Sequence, residues 1–233
     1  MVARVTVLSV VDAIADDLRR RVLSGELGPG EALTEAEVAS RYEVARATAK
    51  ASIEKLVTEQ VLVRSNHKTA RVVQLGPDDV RDIYRSREYL EAEVLRRLAR
   101  DRSVPAASRE ANEEIGRLWQ AEVYDVVDPD MRFHTSLIDS LGSPRTSRMY
   151  HSLTSEVKLC MAQLQGSQRL SPAIIVAEHQ RLLDLICAGR GDDAATLLRE
   201  HLGRARELLV EALGGTPGPE ATLAPSVLSD APA

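Results

Sequence analysis

Apolar residues at Val11, Ile14, Leu18 and Val22 recur at helical spacing, and Ser24-Gly25 ends the run, so the pattern predicts a first helix closing there. A glycine and proline turn, Gly28-Pro29-Gly30, follows. Thr34 with Glu37 three residues later has the spacing of a capping box and predicts a short helix through Tyr42. A second short helix is predicted to start near Ala45. Its apolar positions Ala49, Ile53, Leu56 and Val57 share one face, which turns Ala47, Lys50 and Glu54 outward. Val61-Leu62-Val63-Arg64 and Ala70-Arg71-Val72-Val73-Gln74 are β-branched runs around the polar tip Ser65-Asn66-His67-Lys68-Thr69, the pattern of a hairpin. A helix, two short helices and a hairpin with a basic tip give the order of a winged helix-turn-helix, whose second short helix enters the major groove.

Gly76-Pro77 breaks the chain, and Asp78 and Asp79 suit the positive first turn of the next helix. From there on the pattern is helical. Segments near 78 to 100, 106 to 121, 129 to 141, 144 to 165, 172 to 188 and 192 to 213 are separated by proline or glycine signals. Ser143-Pro144 and Ser171-Pro172 have the form of cap and first helical position, and Gly189 and Gly191 bracket a tight turn before Asp192. The predicted fold is mainly α: a winged helix-turn-helix of three helices plus a β-hairpin wing (8–75), then an antiparallel bundle of about six helices (78–213). Residues 214–233 are rich in Pro, Gly, Ala and Ser and are expected to be disordered.

Charge sharpens this picture. The 233 residues carry a formal net charge of −5, which by itself argues against a nucleic-acid partner. Its distribution argues the other way. Residues 41–75 hold seven Lys or Arg against three acids, whereas residues 76–233 hold nineteen against twenty-five. A basic patch on an acidic body fits a DNA-binding head on a sensor domain. No run of 18 apolar residues appears and the N-terminus lacks the order of a secretion signal, so a cytoplasmic protein without a membrane span is expected. Cys160 and Cys187 lie in apolar helical patterns without CxxC spacing, and both are expected to be buried, reduced and structural.

Two sets of residues carry candidate chemistry. Arg46 lies at the N-terminal end of the second short helix, where side chains reach base edges, and Thr48 and Lys50 follow within the next turn. Arg41, His67, Lys68 and Arg71 are candidate phosphate or minor-groove contacts. In the helical part, Asp130 and His134 are four apart on a helix whose other inward positions are Phe133, Leu137 and Leu141. His179 shares a stripe with Leu182, Leu183 and Ile186, and His201 one with Leu197, Leu198, Ala205 and Leu208. Burying three imidazoles and a carboxylate without a shared partner is costly. Together they suit a divalent first-row ion, Zn²⁺ first with Ni²⁺ or Mn²⁺ as alternatives, and leave coordination positions for water or an organic acid. Arg87 falls on the apolar stripe Val80, Ile83, Leu90, Val94 and Leu98, where a guanidinium needs a partner. Glu91 in a structural ion pair, or the carboxylate of an effector, would serve. Trp119 and Tyr124 either wall the cavity or pack in the core.

The stretch VVDAIADDLRRRVLSGELGPGEALTEAEVASRYEVARATAKASIEKLVTEQVLVR resembles the N-terminal domain of the GntR family of bacterial regulators. The segments DIYRSREYLEAEVLRRLA, DPDMRFH and EHQRLLDLICAGRGDDAATLLREH resemble, in order, the FCD-type sensor domain of its FadR-like subfamily. The resemblance covers roughly residues 10 to 213. It implies a transcription regulator, expected to be a repressor, that binds an operator in double-stranded DNA as a homodimer and answers to a small organic acid or related metabolite. A metal in the sensor domain is often part of that family's design. Asp130, His134, His179 and His201 match its ligand pattern residue by residue, and Arg87 with Glu91 match its Arg-x3-Glu motif.

The head departs from the family where DNA is read. Ala45 stands in place of a Ser or Thr, removing a cap worth about 1 kcal/mol and a hydroxyl able to reach a phosphate. Lys50 replaces an Arg, keeping the charge but losing the guanine-matching fork. Ala51 replaces a Glu, and Gln60 and Thr69 stand at or near places of wing glycines. Two other functions compete with the regulator. A helical adaptor with a degenerate head is one. A metal-dependent enzyme is the other, although no nucleophile motif, phosphate loop or spare inward acid supports it.

Overall fold

A computed structural model describes residues 9–65, 69–118, 123–162 and 171–218, the side chains of 123–125 and 162 excepted. The chain divides into two compact units, Met1–Leu75 and Gly76–Ala233.

In the first unit α1 (Val10–Leu23) is capped by Ser9, whose Oγ accepts from the Asp12 amide at 3.1 Å, and it buries Ile14, Ala15, Leu18 and Val22. The capping box forms at α2 (Glu35–Arg41): Thr34 Oγ1 accepts from the Glu37 amide, and Glu37 Oε2 accepts from the Thr34 amide at 2.9 Å. Next, α3 (Arg46–Thr58) buries Ala49, Ile53 and Leu56 as expected, but Ser52 takes the place anticipated for Val57. Its hydroxyl lies 3.1 Å from the carbonyl oxygens of both Val11 and Thr48, so the polar atom is satisfied inside the core.

The sheet holds one strand more than the hairpin predicted. β2 (Leu62–Val63) and β3 (Ala70–Val72) pair antiparallel, and β1 (Ala32–Leu33) pairs with the other edge of β3, giving the order β1-β3-β2. A two-residue strand with one buried side chain, Leu33, has no alternation for a sequence to display. It exists because the backbone leading into it is tied to β3: the Gly30 amide donates to the Val72 carbonyl at 3.0 Å and the Val72 amide to the Glu31 carbonyl at 2.9 Å.

The second unit is helical throughout the described residues: α4 (Pro77–Asp101), α5 (Ala106–Arg117), α6 (Val123–Asp139), α7 (Pro144–Ala162), α8 (Pro172–Cys187) and α9 (Gly191–Ala212). The six expected segments are present, with one large boundary error. Pro129 had marked the start of the third segment, but α6 begins at Val123 and runs through it. A proline inside a helix forfeits one backbone bond and strains the preceding turn. Burial of Val126 and Met131 on either side of it holds the helix together. Ser171 takes the N-cap place before Pro172 but makes no side-chain cap bond.

Tight helix contacts explain the glycines near the C-terminus. A Cβ on Gly191 would meet the Arg96 backbone at 2.9 Å, so the α8–α9 turn can press against α4 only without a side chain there. The tail is fastened further than composition suggested. Arg81 donates to the Thr216 carbonyl at 2.8 Å and the Gly218 amide to Glu207, while residues 219–233 of the expected disordered tail lie outside the described residues. Cys160 is buried, with burial pushing its thiol up to about 12, but Cys187 is exposed, contrary to expectation, 3.5 Å from an Arg109 nitrogen.

Candidate metal centre and DNA face

Helix periodicity sets the centre of the bundle. Asp130 and His134 sit one turn apart on α6, His179 on α8 and His201 on α9, and one ligand atom from each lies within 4.8 Å of the others. The three imidazole centroids are 5.0–5.4 Å apart. His134 and His179 are fully buried, His201 nearly so, and Asp130 partly open. Asp130 Oδ1 lies 3.4 Å from His179 Nε2 and 4.0 Å from His134 Nε2, and none of these three atoms has a hydrogen-bond partner.

The remaining ring nitrogens explain the orientation. His134 Nδ1 lies 2.6 Å from Glu91 Oε2, and His201 Nδ1 lies 2.8 Å from Glu178 Oε2. An ionised carboxylate only accepts, so Nδ1–H is the donor in both pairs and each Nε2 lone pair faces the centre. His179 has no such carboxylate; its ring stacks on Phe133 at 3.7 Å between centroids and 3° between planes. Burial, helped by the neighbouring His201 and His134, lowers the His179 pKa well below its ordinary value, and burial lowers that of His201 although Asp130 opposes it. Imidazoles kept neutral, as burial keeps His179 and His201, are what a divalent cation requires. An unmade buried hydrogen bond costs about 1–3 kcal/mol, so converging orphan acceptors fit an ion that satisfies all of them at once.

Arg87 and Glu91 pair as their spacing allowed, with Nε 2.9 Å from Oε1 and both side chains almost completely enclosed. Tyr150 donates to the same oxygen at 2.6 Å, and the Tyr84 ring lies 5.0 Å from the Arg87 guanidinium carbon. Burial alone would raise the Glu91 carboxyl; Arg87 and His134 outweigh it and hold it well below the usual carboxylate range. Arg87 Nη2 remains buried without a partner, and Arg87 lines a cavity of about 110 Å³ together with Asp130 and His201. The ion pair and the free nitrogen coexist, so the two roles open to Arg87 do not exclude each other.

Glu178, Arg204 and Tyr150 were not anticipated. Glu178 falls on the stripe Ile175, Leu182 and Leu185, and Arg204 on that of His201 and Leu208, so helical periodicity carried the signal for both. They bear on the expectation of no spare inward acid beside the centre. Glu91 and Glu178 both lie there, but each is committed to a histidine on one oxygen and an arginine on the other. Trp119 and the Tyr124 side chain lie outside the described residues.

On the first unit, Arg46 and Lys50 are exposed on α3, without a hydrogen bond or ion pair among the described residues, and Thr48 is half-buried. Exposed Arg41 lies 3.6 Å from Glu26, and exposed Arg71 donates to the Gly30 carbonyl at 2.9 Å. His67 and Lys68 lie outside the described residues. The basic patch is narrower than its count, because Lys55 pairs with Asp12 at 2.5 Å and Arg64 with Glu54 at 2.7 Å. Ala45 occupies the N-cap of α3 and makes no side-chain cap bond.

Comparison with known proteins covers both units. The profile of bacterial regulatory proteins of the gntR family matches residues 10–72, and that of the FCD domain matches residues 82–204. The HTH-type transcriptional regulator BphR of Paraburkholderia xenovorans is 26% identical over 211 residues, 84% of this chain and 83% of that protein. A GntR transcriptional regulator from Rhodococcus sp. RHA1 superposes with a TM-score of 0.74 at 20% identity, over 87% of this chain and 98% of that one. The metal-free FCD domain of the transcriptional regulator TM0439 covers 60% of this chain and 98% of its own at a TM-score of 0.51 and 18% identity.

Proposed function

Since this chain belongs to the GntR family of bacterial regulators, with a helix-turn-helix domain followed by an FCD domain, we propose that it is a homodimeric repressor whose operator affinity is set by a small organic acid at a metal centre. The DNA-binding and ligand-sensing roles follow from the family, as does its being a regulator and not an enzyme. The repressor sense, the dimer, the metal and the effector are our reading. Within the described residues no helix is long and apolar enough to cross a membrane.

One observation carries the reading of the sensor: unpartnered donor atoms of Asp130, His134 and His179 converge with His201 beside a cavity that Arg87 also lines. Three imidazole nitrogens and one carboxylate oxygen favour Zn²⁺, with Ni²⁺ or Mn²⁺ as the other candidates, and such an ion would offer open positions to a carboxylate. Glu91 and Glu178 hold His134 and His201 by Nδ1, and Arg87 Nη2 supplies a charge-assisted donor to the acid. On the head, Arg46 and Lys50 supply the base-edge contacts, Thr48, Arg41 and Arg71 the neighbouring contacts, and His67 and Lys68 those of the wing. Effector binding alters operator affinity by linkage, to the extent that it prefers one conformation of the dimer.

The test is fluorescence anisotropy with DNA from upstream of the protein's own gene and with unrelated DNA, over a range of salt. We expect sequence-preferring, salt-sensitive binding that an Arg46→Ala/Lys50→Ala double variant loses, at about 1–3 kcal/mol per base contact. Operator affinity that stays constant while a bound acid saturates the sensor would refute the linkage.

A further inference from the structure

The two glutamates behind the metal-facing histidines form a repeated arrangement. Glu91 receives His134 Nδ1 on Oε2 and Arg87 Nε on Oε1; Glu178 receives His201 Nδ1 on Oε2 and Arg204 Nη2 on Oε1. Each arginine is left with one buried nitrogen that has no partner, Nη2 of Arg87 and Nη1 of Arg204. The first pair is built on α4 and α6, the second on α8 and α9, yet both arginines line the same cavity with Asp130 and His201.

Arg204 does not need that cavity for its own stability. Glu178 already balances its charge through Nη2, so the buried Nη1 is not needed for that ion pair. A buried guanidinium nitrogen without an acceptor carries a free-energy cost that an incoming oxyanion would remove. One carboxylate has two oxygens. Shared between the open position at the histidine cluster and Arg87 Nη2, it places one oxygen on each, and Arg204 Nη1, built from the other glutamate pair, is then free for a second acid group. We propose that Arg204 is a second anion-binding residue of the effector site, and that the effector is therefore a short acid bearing two carboxylate groups. This rests on the reading of the cavity as an effector site. Its small volume, about 110 Å³, limits the acid to a compact chain.

Isothermal titration calorimetry of the zinc-loaded full chain with succinate and with butyrate compares the same four-carbon skeleton with and without its second carboxylate. We expect succinate to bind about ten- to a hundredfold more tightly, as one added charge-assisted hydrogen bond requires. Arg204→Gln should bring succinate down to the affinity of butyrate and leave butyrate unchanged, whereas Arg87→Gln should weaken both. Equal affinities in the unsubstituted protein, or an Arg204→Gln variant that keeps the preference for succinate, would overturn this inference and leave the effector site standing. No heat from either acid, on protein that has taken up zinc, would overturn both. The comparison of the two acids on the unsubstituted chain needs no variant, so the inference stays open to refutation if Arg204→Gln does not fold.

Discussion

The two units use polar side chains in opposite ways. Among the described residues of the first, Ser52 is the one buried polar side chain, and the groups that would meet DNA, Arg46 and Lys50, are exposed. The second encloses Arg87, Arg204, Glu91, Glu178, Glu207 and three histidines. In the head, packing and recognition are therefore carried by different residues. In the helical unit most of the groups that would hold the ligand also hold the fold, because Arg87, His134, His201 and Arg204 are each the partner of a buried glutamate. Substitutions should separate stability from function in the first unit and fail to do so in the second.

The strongest way to break that contrast is Glu91→Ala. Glu91 is partner to Arg87, His134 and Tyr150 at once. Its loss leaves a buried guanidinium uncompensated, at an expected cost of about 3–5 kcal/mol. Urea unfolding of the full chain, set against Lys50→Ala, measures the difference; the exposed substitution should stay within about 0.5 kcal/mol. A loss below about 1 kcal/mol for Glu91→Ala would mean that the buried charges are solvated in solution and that the contrast is wrong.

Metal removal tests the same contrast more gently. An ion that binds only the folded state adds about 2.7 kcal/mol of stability at a free concentration one hundred times its dissociation constant. Thermal scans of chelator-treated protein should therefore shift upward on addition of zinc and return on renewed chelation. Asp130→Asn, which keeps the shape but loses the carboxylate, should abolish most of the shift. A response in Asp130→Asn equal to that of the unsubstituted protein would place the ion elsewhere.

How far the sequence reaches follows the same division. The stripes of α1, α4 and α9 and the Thr34–Glu37 capping box depend on residues close in the chain, and their spacing revealed them. Asp130, His134, His179 and His201 were legible because each stands out as polar on an apolar stripe. Glu178 and Arg204 stood on such stripes too, but a carboxylate and a guanidinium three or four residues from other charges look like a solvated face until tertiary structure encloses them. β1 was invisible for a different reason, since its stability comes from the Gly30 and Val72 backbone bonds. The run of α6 through Pro129 was hidden as well, because burial of Val126 and Met131 overrides the local penalty.

The smallest expected effect is also the most discriminating for the head. Ala45 already has the extended backbone of an N-cap, φ −63° and ψ 146°, and is exposed, but it has no side-chain atom to accept from the first-turn amides of α3. Ala45→Ser supplies that acceptor without a steric penalty and should raise the unfolding free energy by about 1 kcal/mol. The same hydroxyl stands at the end of the recognition helix, where it could instead meet a phosphate. If it acts only as a cap, stability rises and anisotropy on the upstream and unrelated DNAs is unchanged, which keeps packing and recognition separate in this unit. If it contacts phosphate, affinity rises on both DNAs by a similar factor, because a phosphate contact carries no sequence information. Stability and affinity moving together would show that the start of α3 is the one place where the head, like the helical unit, uses a single side chain for both.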